Sequence, residues 1–337
     1  TSSDNLTPER PREWVPLASF VVLVLAIGVT GMLAYGRLAD QIKRDRQQDL
    51  IAVTSLKVEQ LAAWVAERRG SAAHLMQAPV FTVMLERWIA AGRPDGEFKG
   101  MLDGRLQDFS QSFRSRRVLL LDENGKLLLK TGAVEDATPR AREWALAAME
   151  RNAVFLSDVH WEGAEGESAL GMDLIAPLSL HRPEVRKKLG ALLFQIDPGE
   201  YLYPLVRSWP TASQTAETML IRAEGQELVY VNELRHRTGT ALRLRFPLEE
   251  WNLAGAMLLR RGDGTVEGVD YRGVPVLAAG GKVPGTDWFL VSKIDQAEIY
   301  APLQNLAALL AAVVGLLIAG TGVAVWLWWR GRRAAFA

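Results

Sequence analysis

Apolar residues gather in two uncharged runs at the ends of the chain, and between them they recur with helical or strand spacing among polar residues. Trp14–Gly36 contains no Asp, Glu, Lys or Arg, and neither does Ile299–Trp329. Each run exceeds the ~20 residues that a helix needs to cross ~30 Å of hydrocarbon. The pattern predicts one folded region, residues 37–298, held between two membrane spans on one side of a bilayer. Arg330, Arg332 and Arg333 follow the second run, and Asp295 and Glu298 precede it. Excess arginine marks the cytoplasmic side, so the C-terminus faces the cytoplasm, and with two spans so does the N-terminus. The first run is ambiguous, with Arg10 and Arg12 before it and Arg37, Lys43, Arg44 and Arg46 after it. Trp14, Tyr35, Trp326, Trp328 and Trp329 stand at the run ends, where amphipathic rings favour the headgroup layer. The first run reads as an uncleaved anchor. It is longer than the core of a signal peptide, and Tyr35-Gly36-Arg37 is not a small-x-small cleavage site.

Residues 37–78 read as one long stalk helix. Leu50, Val53, Val58, Leu61, Val65, Ala72, Leu75 and Met76 recur near helical spacing, and Pro79 ends or kinks the run. A second helix over 80–91 closes at Gly92-Arg93-Pro94-Asp95-Gly96, and a third runs near 98–113. Then the period changes. Val118–Leu121 and Lys126–Lys130 flank Asn124-Gly125, a hairpin signal. A short helix over 139–149 follows, then strands at 153–161, 168–177 and 189–196, with loops at 162–167 and 181–188. The pattern repeats: a helix at 198–207, strands at 219–222 and 228–231, a helix at 248–259, and strands at 265–271, 274–279 and 288–294. Helices packed on antiparallel sheets make an α+β fold. The expected divisions are a tail 1–13, a span 14–36, stalk and packing helices 37–112, a membrane-distal unit 113–197, a membrane-proximal unit 198–298, a span 299–329 and a stub 330–337.

Composition narrows the chemistry. The 337 residues include no cysteine, which removes disulfides, thiolate catalysis and Cys-based metal sites. Lys+Arg and Asp+Glu both number 39, so net charge favours neither nucleic acid nor an acidic partner. Gly166-Glu167-Ser168-Ala169-Leu170 lacks the closing glycine of a nucleophile elbow. Gly262–Gly268 misses the dinucleotide spacing, and the four histidines lack metal-ligand spacing. No motif calls for a cofactor, a metal or an enzymatic activity.

Five residues stand out as candidate ligand contacts. Asp158 and His160, with Glu162, fall at period two and would share a strand face. A carboxylate beside an imidazole suits a polar ligand or a metal ion, and the alternative is an exposed strand end entering an acidic loop. Asp173 shares a face with Ile175, where it is a ligand contact or a buried acceptor with a structural partner. Arg114 and Arg116, with Arg117, lie where the third helix yields to the first strand. They suit a carboxylate or phosphate, or form a solvated turn. Arg235-His236-Arg237 and Asp270-Tyr271-Arg272 read as bridges between loops that fix the fold.

Several stretches resemble the double Cache (dCACHE) sensors of bacterial histidine kinases, diguanylate cyclases and chemoreceptors. They are VLLLDENGKLLL (118–129), YLYPLVRSWPTASQTAETMLIR (201–222), VNELRHRTGTALRLRFPL (231–248), VDYRGVPVLAA (269–279) and VPGTDWFLVSKIDQAEIYAPL (283–303). The resemblance covers residues 14–329 and implies two tandem PAS-like antiparallel sheets on a long N-terminal stalk helix, flanked by two transmembrane helices. Amino-acid-binding members carry an Arg-x-Trp-Tyr-type segment where the third helix meets the first sheet. Here Phe113-Arg114-Ser115-Arg116-Arg117-Val118 offers Arg116 but no Trp, so amino-acid binding is not implied.

The implied role is a periplasmic sensing portion of an inner-membrane receptor. A small molecule in the concave face of the distal sheet would shift the second span relative to the first. The chain ends seven residues past Arg330, so the output module is expected beyond it. The alternative is a docking module for a periplasmic protein, with no small ligand of its own. Expected partners are the lipid bilayer, a small-molecule ligand and a second copy of the chain, whose stalk would help bury the Leu50–Met76 stripe. No nucleic acid is expected.

Overall fold

A computed structural model describes residues 15–76, 79–132, 136–162, 169–181 and 186–335. The elements run α1 (Val15–Met76), α2 (Pro79–Ala90), α3 (Glu97–Ser112), β1 (Arg117–Leu121), β2 (Leu127–Lys130), α4 (Pro139–Arg151), β3 (Phe155–Leu156), β4 (His160–Trp161), β5 (Leu170–His181) and β6 (Arg186–Ile196). They continue α5 (Leu202–Arg207), β7 (Glu217–Glu224), β8 (Glu227–Tyr230), β9 (Arg245–Pro247), α6 (Ala254–Arg261), β10 (Asp263–Val269), β11 (Pro275–Lys282), β12 (Phe289–Asp295) and α7 (Gln296–Ala335).

Two compact units divide the chain. One takes the chain up to Asp49 together with Asp295–Ala337, and so holds the start of α1 and all of α7. Within it, Gln296–Ala324 has a mean hydropathy of 2.4 and is long enough to span a bilayer. Among the described residues it is the one candidate span. Trp14, Arg10 and Arg12 lie outside the described residues, as does most of the acidic loop after Glu162.

Leu50–Ile294 forms the other unit, which contains both sheets. The first sheet is ordered β2-β1-β6-β5-β3, with β4 also on β5, and the second is ordered β10-β11-β12-β7-β8-β9. In each, the opening strand lies between its hairpin partner and the last strand of the unit, so the repeat in the sequence is a repeat of topology. The β1–β2 hairpin turns where Asp122 Oδ1 accepts from Asn124 N at 2.9 Å and Lys126 N at 2.8 Å, and Gly125 supplies the positive φ of 76°. Thr138 caps α4 by accepting from Ala141 N, Pro139 opens the helix, and Asn152 closes it at φ 48°.

Each sheet has two covered faces. In the first, Leu119, Leu121, Ile175 and Leu193 pack against Ala141, Ala145, Ala148 and Met149 of α4. The opposite face, with Val118, Leu120, Leu174 and Phe194, joins α1, α2 and α3 in a core that also takes in Leu220, Val229, Trp288 and Leu290 of the second sheet. Phe113 stacks on Phe194 at 4.3 Å. The second sheet turns Met219, Ile221 and Val291 to α6.

That shared core overturns the expected use of the stalk stripe. Leu61, Val65 and Ala72 are buried inside the chain's own core and are not left for a second copy. Some local expectations also fail. The strand read at 153–161 is broken into β3 and β4, and α6 begins at Ala254, with the unforeseen strand β9 before the Glu249–Trp251 turn. β5 and β6 extend into the two ends of the expected 181–188 loop, of which residues 182–185 lie outside the described residues.

Candidate functional site

The break between β3 and β4 creates the site. Ser157–Val159 leaves the sheet, so Asp158, His160 and Glu162 do not share one strand face as their spacing suggested. Each goes to a different partner. Asp158 reaches the second sheet: Oδ1 accepts from the indole N–H of Trp288 at 2.6 Å, and Oδ2 pairs with Arg222 Nη1 at 2.6 Å. Arg222 also donates to the Val159 carbonyl at 3.1 Å and to Glu224 through Nε at 2.7 Å. Glu224 in turn pairs with Arg245 at 2.9 Å. Partial burial works against its charge, but Arg222 and Arg245 outweigh that and hold the Glu224 carboxyl below the ordinary range.

His160 turns to Asp173 on β5, with Nε2 at 3.5 Å from Oδ2, while Nδ1 lies 3.0 Å from the Asp158 carbonyl. Asp173 is buried on the α4 side of the sheet, on the face of Ile175, and its backbone N–H donates to Ser157 Oγ at 2.7 Å. Burial opposes charge on the imidazole. The Asp173 carboxylate and the Asp158 carbonyl overcome it, so the His160 pKa stands above its ordinary 6.5. The Trp144 ring meets the imidazole edge-on at 5.1 Å.

A cleft of about 620 Å³ opens beside this joint. Arg140 and Trp144 of α4 with His160 and Trp161 of β4 wall it on the side of the first sheet, and Arg222, Glu224 and Arg245 on the side of the second. The Arg140 guanidinium lies 4.8 Å over Trp144, and that of Arg243 4.9 Å over Trp161. The Trp161 indole N–H is buried without a hydrogen-bond partner. Aromatic walls and the Arg140 guanidinium suit a small polar molecule that carries an acceptor or a negative charge, while Arg222 and Arg245 are engaged by Asp158 and Glu224.

Of the five residues singled out by sequence, Asp158 and His160 line the cleft and Asp173 stands behind His160. Arg114 is exposed in the α3–β1 turn at φ 47°. Arg116 is tied to Glu162 at 3.2 Å and to Asp197, and neither arginine lines the cleft. Sequence reasoning missed Arg140, Trp144, Trp161, Arg222, Arg245 and Trp288. Arg140 and Trp144 of α4 line the cleft, so it opens at the edge of the sheet face that α4 covers.

Buried charges elsewhere serve as joints. Lys293 of β12 is fully buried, 3.1 Å from Asp270 and 3.6 Å from Glu217, which accepts from Tyr271 OH at 2.9 Å. The His236 N–H donates to the same hydroxyl at 3.3 Å, so the Arg235–Arg237 and Asp270–Arg272 motifs meet at Tyr271. Burial disfavours the Asp270 charge, but hydrogen bonds from Arg272 and the charge of Lys293 hold its pKa low. On α1, Lys57 donates to the Leu205 and Val206 carbonyls at 2.8 and 3.2 Å, capping the C-terminal end of α5. Among the described residues, no three His, Asp or Glu side chains assemble as metal ligands.

No family model and no curated protein matches the chain. Solved structures do. The extracellular domain of soHK1S-Z6, a protein assigned as a histidine kinase, superposes with a TM-score of 0.53 at 16% identity, over 78% of this chain and 98% of that one. The periplasmic sensory domain of the Campylobacter jejuni chemoreceptor Tlp1 gives 0.51 at 12% identity, over 77% and 99%. At such identities the likeness is one of fold, and the fold is that of the double Cache extracellular sensor domains.

Proposed function

We propose that residues 37–298 are the periplasmic sensing portion of a transmembrane signal-transduction receptor in the inner membrane. In this reading Trp14–Gly36 and Ile299–Trp329 both cross the bilayer, and both termini are cytoplasmic. A small molecule bearing negative charge seats in the cleft beside Asp158. The resulting shift in the second sheet passes along β12 into α7 and on to a cytoplasmic output module of histidine kinase or diguanylate cyclase type. The chain itself performs no catalysis. A homodimer forms through the open face of α1, where Ile51 and Leu56 are 45% and 52% exposed.

One observation carries the reading: the cleft takes walls from both sheets, at the point where Asp158 joins them. A ligand that touches Trp144 on one side and Arg245 on the other would bind one packing of the sheets more tightly than another. A difference of a few kcal/mol between the two packings is enough to move the population.

The test is a thermal-shift screen of the full chain in detergent against organic acids, amines and nucleobases. Selective binding raises the melting temperature by mass action. The expected result is stabilisation by one class of anion, lost in Arg140→Gln and in Trp144→Ala. A hit unaffected by either substitution overturns the cleft as its site.

The filled α4 face of the first sheet favours a second reading, a periplasmic protein-docking module with no small ligand of its own. A flat response across the whole screen would move the balance to it.

A further inference from the structure

A second cleft, of about 590 Å³, opens at the end of the second sheet. Its walls are Arg207 at the end of α5, Ala216 and Thr218 at the start of β7, and the loop over residues 233–239. The volume falls within the ~300–1,000 Å³ usual for small-molecule sites. It shares no lining residue with the cleft beside Asp158.

Thr218 is 3% exposed, and its hydroxyl has no hydrogen-bond partner. Ser292 of β12 lies opposite it in register, on the face of Leu220 and Leu290, and its fully buried hydroxyl is equally idle. Buried polar atoms without partners are uncommon enough to need an explanation. The charged groups of the cleft, by contrast, are engaged. Glu217 accepts from the Arg235 N–H and from Tyr271 OH. Glu233 accepts from the backbone N–H groups of Thr240 and Ala241 at 3.1 and 3.3 Å, and Arg235 donates to the Ala216 carbonyl at 2.8 Å. Two arginines and two glutamates leave the lining without net charge, so an ion of either sign gains little there. No lining residue is aromatic, so a planar base has nothing to stack on. The unused capacity is that of hydroxyls, which both donate and accept, together with the exposed Arg207 guanidinium.

We propose that this cleft is a second ligand site, for a small uncharged polyol. One ligand hydroxyl donates to Thr218 Oγ1, and a neighbouring one accepts from Arg207. Thr218 pairs across to β12, the strand that continues into α7 at Gln296, so the occupant sits beside the chain's path out of the sheet. The site is independent of the cleft beside Asp158, and it stands or falls without the sensor reading.

Calorimetric titration tests it, using the full chain in detergent with myo-inositol, ribitol and glucose as probes. The probes are kept at millimolar concentration, below the range in which polyols stabilise proteins by exclusion from the surface. At least one should bind saturably. Thr218→Val keeps the shape and removes an idle hydroxyl, so it should fold as stably as wild type and weaken that binding about tenfold. Arg207→Gln, at an exposed position, should weaken it to a similar degree. Arg140→Gln, in the other cleft, should leave it unchanged. If Thr218→Val does not fold, Arg207→Gln alone decides. Absence of saturable binding by all three probes, binding that either cleft variant retains at wild-type affinity, or loss of binding in Arg140→Gln overturns the proposal.

Discussion

The Asp158 carboxylate and the Trp288 indole, 130 residues apart, share a 2.6 Å hydrogen bond that links the loop between β3 and β4 to the start of β12. Arg222 completes the joint from β7. Asp158→Ala leaves the buried indole N–H without an acceptor and Arg222 short of one carboxylate. Such a loss costs about 1–3 kcal/mol. Chemical denaturation of Asp158→Ala, Trp288→Phe and the double variant should give a coupling energy well above zero. Additive effects would show that the bond contributes nothing of its own.

His160 makes stability depend on pH. Its folded pKa lies above 6.5, so the pairing with Asp173 contributes fully below 6.5 and is lost as pH rises through the folded value. Denaturation midpoints measured from about pH 5.5 to about pH 8.5 should fall across that range. The slope should flatten in Asp173→Asn.

Lys57 acts in the opposite direction. Burial pushes its pKa from 10.5 down to about 8. Below about 8 both states carry the proton, and the folded one bears the cost of burying the charge. Between the two values the folded protein releases the proton first, so stability climbs with pH. Lys57→Met should abolish the climb, as read from melting temperatures across that window.

Leu61→Glu should prevent folding. Leu61 is fully buried in the core that α1 shares with both sheets. Losing its packing and burying a carboxylate costs about 4 kcal/mol or more. Far-UV circular dichroism and size exclusion should show unfolded or aggregated protein. A folded monomer in place of a dimer would mean that the residue serves a contact between copies.

The local pattern carried much of the fold. The Asn124-Gly125 hairpin, the Thr138-Pro139 helix start and the doubled order of helices and strands could be read from residue spacing. Spacing failed where tertiary contacts override it. Ser157–Val159 looks like strand, yet Asp158 leaves the sheet to meet Arg222 and Trp288. The Leu50–Met76 stripe was legible as apolar, but a stripe does not say whether its cover is the same chain or another copy. Buried charges left a faint trace: Lys57 falls four residues before Leu61 on the buried stripe, and Lys293 follows the apolar run Phe289–Val291 and precedes Ile294. The cleft left almost none, because its walls come from segments far apart in sequence.

One core serves both sheets, and that makes them thermodynamically inseparable. Trp288, Leu290 and Val229 lie in one continuous core with Val118 and Phe194, together with Leu61 and Val65 of α1. Neither half closes its own interior, so a cut after Asp197 should yield fragments that survive only in each other's company. On heating, Leu50–Ile294 should melt in a single cooperative step, with no population in which one sheet outlives its neighbour.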